Sequence, residues 1–369
     1  MQKDVARLKQ FVSQIADRGP ATWQSRTRGL FLGLTLGDAL GQPAKHDSPA
    51  VLVSGVTTQL AAWTADALLR RTTRYGLYPP QTPHGEWDFM DSMIRTSLER
   101  WLMARDGDSR HGEVPAFGWL SDVPALRNPR GNATSTERAL RRGSASRSNS
   151  CRPMIRSTVV AVYAGAERFQ RASPAQTARA ARTIAAATHD HPDVLASAEL
   201  LTFVAVHALR TDGDLNDVLQ AATRISDAEP SHAAVIAEVL ELARSDLSAA
   251  ESLHSIAPDD SAASVLRGAL FLSARYPSRE LAEDALKAAL RAPDPDGVAA
   301  VVGALIGATH GYEVFPTVQL SRLELGWVMD RLAIDLGEEV REDKVPAGGW
   351  KEAGSPWNEP WWDVKYPGI

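Results

Sequence analysis

The chain has 369 residues, 44% hydrophobic and 23% charged, with a net charge of −5. That composition describes a folded globular protein and excludes a disordered one; the excess of acid argues against non-specific nucleic-acid binding. A single cysteine, Cys151, excludes an internal disulfide framework and fits a reducing compartment. No apolar run reaches the ~20 residues that a bilayer span needs. The charged N-terminus lacks the apolar centre of a signal peptide. The expectation is a soluble cytoplasmic protein with neither membrane nor nucleic acid as a partner.

In chain order, Val5, Leu8, Phe11, Val12 and Ile15 recur at helical spacing and predict an N-terminal helix within 1–25. Next comes a helix in which Gly29, Gly33, Gly37 and Gly41 repeat every fourth residue. Such a smooth stripe admits another backbone at close range, at a propensity cost of about 1 kcal/mol per glycine. Residues 57–71 read as a helix with Leu60, Trp63, Ala67 and Leu68 on one face. Prolines and glycines make 74–90 a loop, and a helix follows near 91–105.

Residues 106–150 read as irregular, rich in Arg, Ser and Gly towards their end. Two readings stay open there. One is a solvated loop with a short helix capped by a Thr134–Glu137 box, which composition favours; the other is an anion-binding loop built from arginine forks and free amides. Beyond residue 155, alanine-rich amphipathic segments predict helices near 157–170, 174–187, 193–210, 214–226, 231–245, 262–275, 279–291, 298–309 and 318–336. The tail from 337 is irregular. Its four tryptophans would strand a large apolar surface unless they pack on the bundle as a strap.

Four stations in a fixed order carry a resemblance to a known family. They are Gly37-Asp38-Ala39-Leu40-Gly41-x-Pro43; Thr58-Gln-Leu-Ala; Ser148-Asn149-Ser … Met-Ile-Arg156 with Thr188-His189; and Asp294-Pro-Asp296-Gly through Gly303, Gly307 and Gly311 to Pro316. In that combination the sequence from about Arg26 to 336 resembles the ADP-ribosylglycohydrolase family, related to the dinitrogenase-reductase activating glycohydrolase. The resemblance implies an all-α single compact orthogonal helical bundle over 26–336 and a cleft for ADP-ribose. It also implies two Mg²⁺ ions held by carboxylates from two helix starts, a hard-oxygen arrangement.

The sequence departs from that pattern at the metal ligands. Where the family has Thr-Asp-Asp-Thr this chain reads Gly55-Val56-Thr57-Thr58, and Lys45 stands where the family has a glutamate. Only Asp294 and Asp296 remain of the last cluster, with Gly297 in place of a threonine. The two aspartates could hold one Mg²⁺ completed by water, or sit as helix-start acids favoured by the dipole at ~0.3–1 kcal/mol each, or pair with Lys45, whose charge opposes a metal; the salt bridge explains both departures with one change. Asp66, beyond the vanished cluster, is a further candidate to approach the site. His189 and His191 lack the other ligands of a zinc site.

The expected site therefore comprises Lys45, Asp294 and Asp296 for any chemistry, the two aspartates also being the partial Mg²⁺ site, with no other cofactor. Asp38, Gly41, Thr57, Thr58, Asn149, Arg156 and His189 are expected to bind the ligand. The expected function is a remodelled cleft for ADP-ribose or an NAD-derived or other nucleotide-like molecule, with dimagnesium hydrolysis lost. The alternatives are a glycosidase cleaving an N- or O-ribosyl bond by an altered acid/base mechanism, and a non-catalytic partner-binding bundle.

Overall fold

The computed structural model describes residues 21–43, 50–75, 90–107, 118–165, 173–224, 230–245, 247–340 and 364–367. Lys45, most of the expected N-terminal helix and most of the tail lie outside them. Among the described residues the chain is helical, with three isolated β-bridges and no strand.

The bundle is organised around two helices that touch through their backbones. Helix α1, Trp23–Gly41, starts where the Thr22 hydroxyl accepts from the Ser25 amide, and it runs through the boundary expected at residue 25. A Cβ at Gly29, Gly33 or Gly37 would collide with the backbone of Gly307, Gly303 or Ala299, and one at Gly41 with that of Asp296. Those partners belong to the helix Pro295–His310. The pairing runs antiparallel, so the C-terminal end of α1 meets the N-terminal end of its partner. The small-residue stripe thus brings Asp38 and Gly41 beside Asp294 and Asp296, at the other end of the sequence.

The partner helix Pro295–His310 is α13, and the other elements wrap the pair: α2 (Val56–Tyr75), α3 (Met90–Asp106), α4 (Thr134–Arg142), α5 (Arg152–Ser157), α6 (Pro174–Ala186), α7 (Pro192–Arg210), α8 (Leu215–Arg224), α9 (Pro230–Ala243), α10 (Ala249–Ile256), α11 (Ala262–Arg275), α12 (Ala282–Ala289) and α14 (Gly326–Glu339). Helix α7 is apolar and long enough to cross a membrane, with a mean hydropathy of 1.4, but 78% of that stretch is buried inside the bundle. It is the central core helix, apolar all round because helices surround it.

Three expectations are corrected. The helix expected over 318–336 is two, Thr317–Leu320 and α14. The turn between them spends its backbone on the 50s segment: the Leu52 amide donates to the Arg322 carbonyl (2.8 Å) and the Glu324 amide to the Leu52 carbonyl (3.0 Å). Helix α10 was not anticipated, although Ser248 and Glu251 form a reciprocal capping box at its start. Helix α4 has no such box. Asn132 Oδ1 accepts from the Thr134 amide at 3.1 Å, and Glu137 instead pairs with Arg105 of α3.

Candidate functional site

Asp38 is fully buried near the end of α1 and serves as a cap for a different helix. Its Oδ2 accepts from the Gly55 amide (2.8 Å), the Thr58 amide (3.1 Å) and the Thr58 hydroxyl (2.5 Å), so a carboxylate faces the N-terminus of α2, where the dipole favours it. Gly55 must be a glycine for this approach, because a Cβ there would strike Asp38 and Gln42. Burial raises Asp38 to about 6, against the opposing pull of the Thr58 hydroxyl.

Gln42 Nε2 links Asp38 Oδ1 (3.3 Å) to Asp296 Oδ2 (3.2 Å). Asp296 also receives Arg152 Nη2 at 3.2 Å, within a pair that is 12% and 15% exposed. The remaining donors of Arg152 reach the Asn132 carbonyl (2.9 Å), Thr57 Oγ1 (3.5 Å) and Cys151 Sγ (3.6 Å). Burial alone would loosen the guanidinium proton, but the carboxyl groups of Asp296, Asp294 and Asp38 hold Arg152 above its ordinary value. Asp294 accepts from the Cys151 thiol at 3.3 Å, and burial with the neighbouring Asp296 pushes it well above the usual carboxylate range. Burial likewise pushes the Cys151 thiol up, so it is a protonated donor and no nucleophile.

Beside this cluster opens a cleft of about 640 Å³, within the usual size range of small-molecule sites. Its wall is the serine-rich segment, pinned on both flanks by backbone bonds. The Ser146 amide donates to the Thr188 carbonyl (2.8 Å) and the Asp190 amide to the Ser146 carbonyl (3.0 Å), while the Ala262 amide donates to the Asn149 carbonyl (2.8 Å). Arg138, Arg142, Arg147 and Arg152 line the cleft against one acid, Asp260. Arg127, Arg130 and Arg141 of the same stretch are spent on Asp122, Glu324 and Asp106. Among the described residues no carboxylate pairs with Arg138, Arg142 or Arg147.

Behind the wall, Arg156 is fully buried and donates from Nη2 to the Thr188 hydroxyl (2.8 Å); among the described residues its Nε and Nη1 have no hydrogen-bond partner. Thr188 Oγ1 lies 2.9 Å from His189 Nδ1, and His189 Nε2 lies 3.0 Å from Ser135 Oγ, which lines the cleft. Burial, reinforced by Arg156, lowers His189 to about 3. An unfolded histidine binds its proton near pH 6.5, so acidification between those values favours the unfolded chain and stability falls with pH. His189→Gln is expected to reduce the drop in melting temperature between pH 7 and pH 5. A residual drop remains from His207, which burial lowers to about 4. An unchanged drop would mean that His189 is charged in the fold.

Residues 19–346 match the ADP-ribosylglycohydrolase family. The chain belongs to that family. A solved structure, an ADP-ribosylglycohydrolase-related protein complex, shares the fold at 21% identity with a TM-score of 0.53, covering 86% of this chain and 99% of that one. Among curated proteins none matches significantly. The ADP-ribosylglycohydrolase fold is all-α, as the sequence motifs implied.

Set against that family, the expected site residues divide sharply. Asp294, Asp296, Asp38 and Thr57 do come together, and among the described residues the cation beside them is Arg152; Lys45 lies outside the described residues. Asp38, Thr57 and Thr58 are enclosed, Gly41 is spent on the helix seam, and Arg156 and His189 stand behind the wall; none of them lines the cleft, whereas Asn149 does. Gln59 of the second station props the short helix Pro124–Arg127 and the residue that follows it by donating to the Ala125 and Asn128 carbonyls at 2.9 Å each. Asp66 is buried in a pair with Arg70 and has no bond to the acid cluster. Gln42, Ser135, Arg152 and the rim arginines escaped sequence reasoning. The only signal was the density of Arg and Ser between 127 and 156, which does not say which guanidinium turns inward.

Proposed function

We propose that this member of the ADP-ribosylglycohydrolase family binds ADP-ribose, or an NAD-derived or similar phosphate-bearing nucleotide, in the arginine-lined cleft, without the family's pair of magnesium ions. The observation that carries this reading is a rim on which three arginines pair with no carboxylate among the described residues. Arg138, Arg142 and Arg147 face one aspartate, and guanidinium forks match phosphate oxygens.

The donor set does not fit a divalent ion. The acids expected between 55 and 58 are absent, Asp38 is spent on three donors, and a guanidinium already neutralises Asp296. Among the described residues no group of three or more His, Cys, Asp and Glu side chains is placed to hold a metal.

Calorimetric titration with ADP-ribose, in Mg²⁺ and again in EDTA, tests both halves. The expected result is equal binding in the two buffers, and an affinity roughly tenfold to a hundredfold weaker in an Arg138→Ala/Arg142→Ala/Arg147→Ala variant, at about 1.5–3 kcal/mol per charged hydrogen bond with part of it recovered by water. Binding that requires Mg²⁺ would restore the metal-dependent reading, and binding untouched by the triple variant would remove the rim from the site.

A second reading, a metal-free glycosidase, is favoured by one observation. Asp294 is raised well above the usual carboxylate range and lies beside Asp296, and a raised acid next to a second carboxylate is what ribosyl-bond cleavage needs. EDTA-resistant release of ADP-ribose from a modified protein, lost in Asp294→Asn, would establish it over pure binding.

A further inference from the structure

Arginine has donors and no acceptor, and that fixes the direction of every bond behind the cleft wall. Arg156 Nη2 donates to Thr188 Oγ1 at 2.8 Å. The Thr188 side chain is fully buried, and among the described residues its one remaining partner is His189 Nδ1 at 2.9 Å. Were Nδ1 to carry the proton, Thr188 Oγ1 would receive two donors and its own buried hydroxyl hydrogen would have nowhere to go, at a cost that native interiors avoid. The Thr188 hydroxyl therefore donates to Nδ1, which leaves the proton of the neutral imidazole on Nε2. Nε2 then donates to Ser135 Oγ across 3.0 Å. Ser135 has accepted its bond from behind, so its own hydrogen is free for the cleft that it lines.

We propose that Ser135 is a ligand-binding residue of the cleft, held as a hydrogen-bond donor by the chain Arg156–Thr188–His189, so that this position selects an anionic acceptor such as a phosphate oxygen over a donor group. Arg156, Thr188 and His189 act as positioning residues: none of them lines the cleft, and they set the polarity of the one that does. The chain also accounts for a guanidinium that is completely buried with no carboxylate paired to it among the described residues. The inference rests on the ligand reading above, but its polarity half can be tested without any ligand.

Long-range ¹H–¹⁵N spectra of the ¹⁵N-labelled protein, with His189 assigned by its loss in His189→Gln, report the tautomer directly. The expected state is neutral with the proton on Nε2, unchanged in Thr188→Ser and lost in Thr188→Val. Calorimetry with ADP-ribose and with inorganic pyrophosphate supplies the second half. Ser135→Ala is expected to weaken both by roughly tenfold, as for one charge-assisted hydrogen bond, with the melting temperature held. A protonated Nδ1, or a folded Ser135→Ala variant with wild-type affinity, overturns the relay while ligand binding stands. Failure of the wild type to bind either probe overturns the ligand reading and the role of Ser135 with it, whatever the tautomer.

Discussion

Gly33→Leu is expected to abolish folding. A side chain there has to displace the Gly303 carbonyl of α13, which is backbone inside a helix and cannot swing aside as a side chain would. Separating α1 from α13 opens the seam along its length, with Leu30, Phe31 and Leu34 on one helix and Val302, Leu305 and Ile306 on the other all fully buried. Each such side chain is worth about 1.5–3 kcal/mol when removed from water. A loss above about 3 kcal/mol, beyond ordinary overpacking, is a large share of a total stability of about 5–15 kcal/mol. Gly337→Ala in α14 is the control. Its added Cβ would meet Thr27 Cγ2 at 3.5 Å, an ordinary contact, so the gain in helix propensity of up to about 1 kcal/mol should show. Melting followed by circular dichroism separates the two; a folded Gly33→Leu variant with a near-native melting temperature would mean that the seam is not close-packed.

Asp66→Ala and Arg100→Met are expected to act in opposite directions. Asp66 and Arg70 form an i,i+4 pair at 2.6 Å with both side chains fully buried, and Arg100 of α3 is also fully buried while its Nε, Nη1 and Nη2 have no hydrogen-bond partner among the described residues. Asp66 is within electrostatic reach of both arginines. Removing Asp66 leaves two buried guanidiniums facing each other, at a cost of about 3–5 kcal/mol. Removing the Arg100 guanidinium instead leaves one cation with one anion and a methionine of similar length to fill the space, so stability should hold or rise by about 1 kcal/mol or more. Urea unfolding of the two variants measures this. Equal losses in both would show that Arg100 has a partner of its own.

The acid cluster shows why a site can be half legible. Asp38, Asp294 and Asp296 were recognisable because their motifs lie at fixed places in helix starts and ends, and the glycine stripe of α1 already implied a close crossing. That the crossing partner is α13, in antiparallel register, followed from no local pattern. The cation was assigned to Lys45 on the grounds of charge replacement. Lys45 lies outside the described residues; among those described, the cation beside Asp296 is Arg152, which the sequence could not single out, since a run of arginines differs only by position and its orientation depends on where α5 docks. His189 and Arg156 were placed on the cleft by resemblance, whereas packing sets them one layer back and leaves Ser135, an ordinary serine in the second position of α4, as the exposed end of their chain.

The sequence by itself determined the helical class, most helix positions, the family and the absence of carboxylates between 55 and 58. These follow from periodicity, caps and residue identity, which are local. Only the tertiary structure decided, among the described residues, which arginine meets Asp296, which rim arginines lack a carboxylate and in which direction the hydrogen bonds behind the wall run. Each of these depends on the distance between groups far apart in the chain, and at a few ångströms of separation a shift of one helix changes which charge meets which.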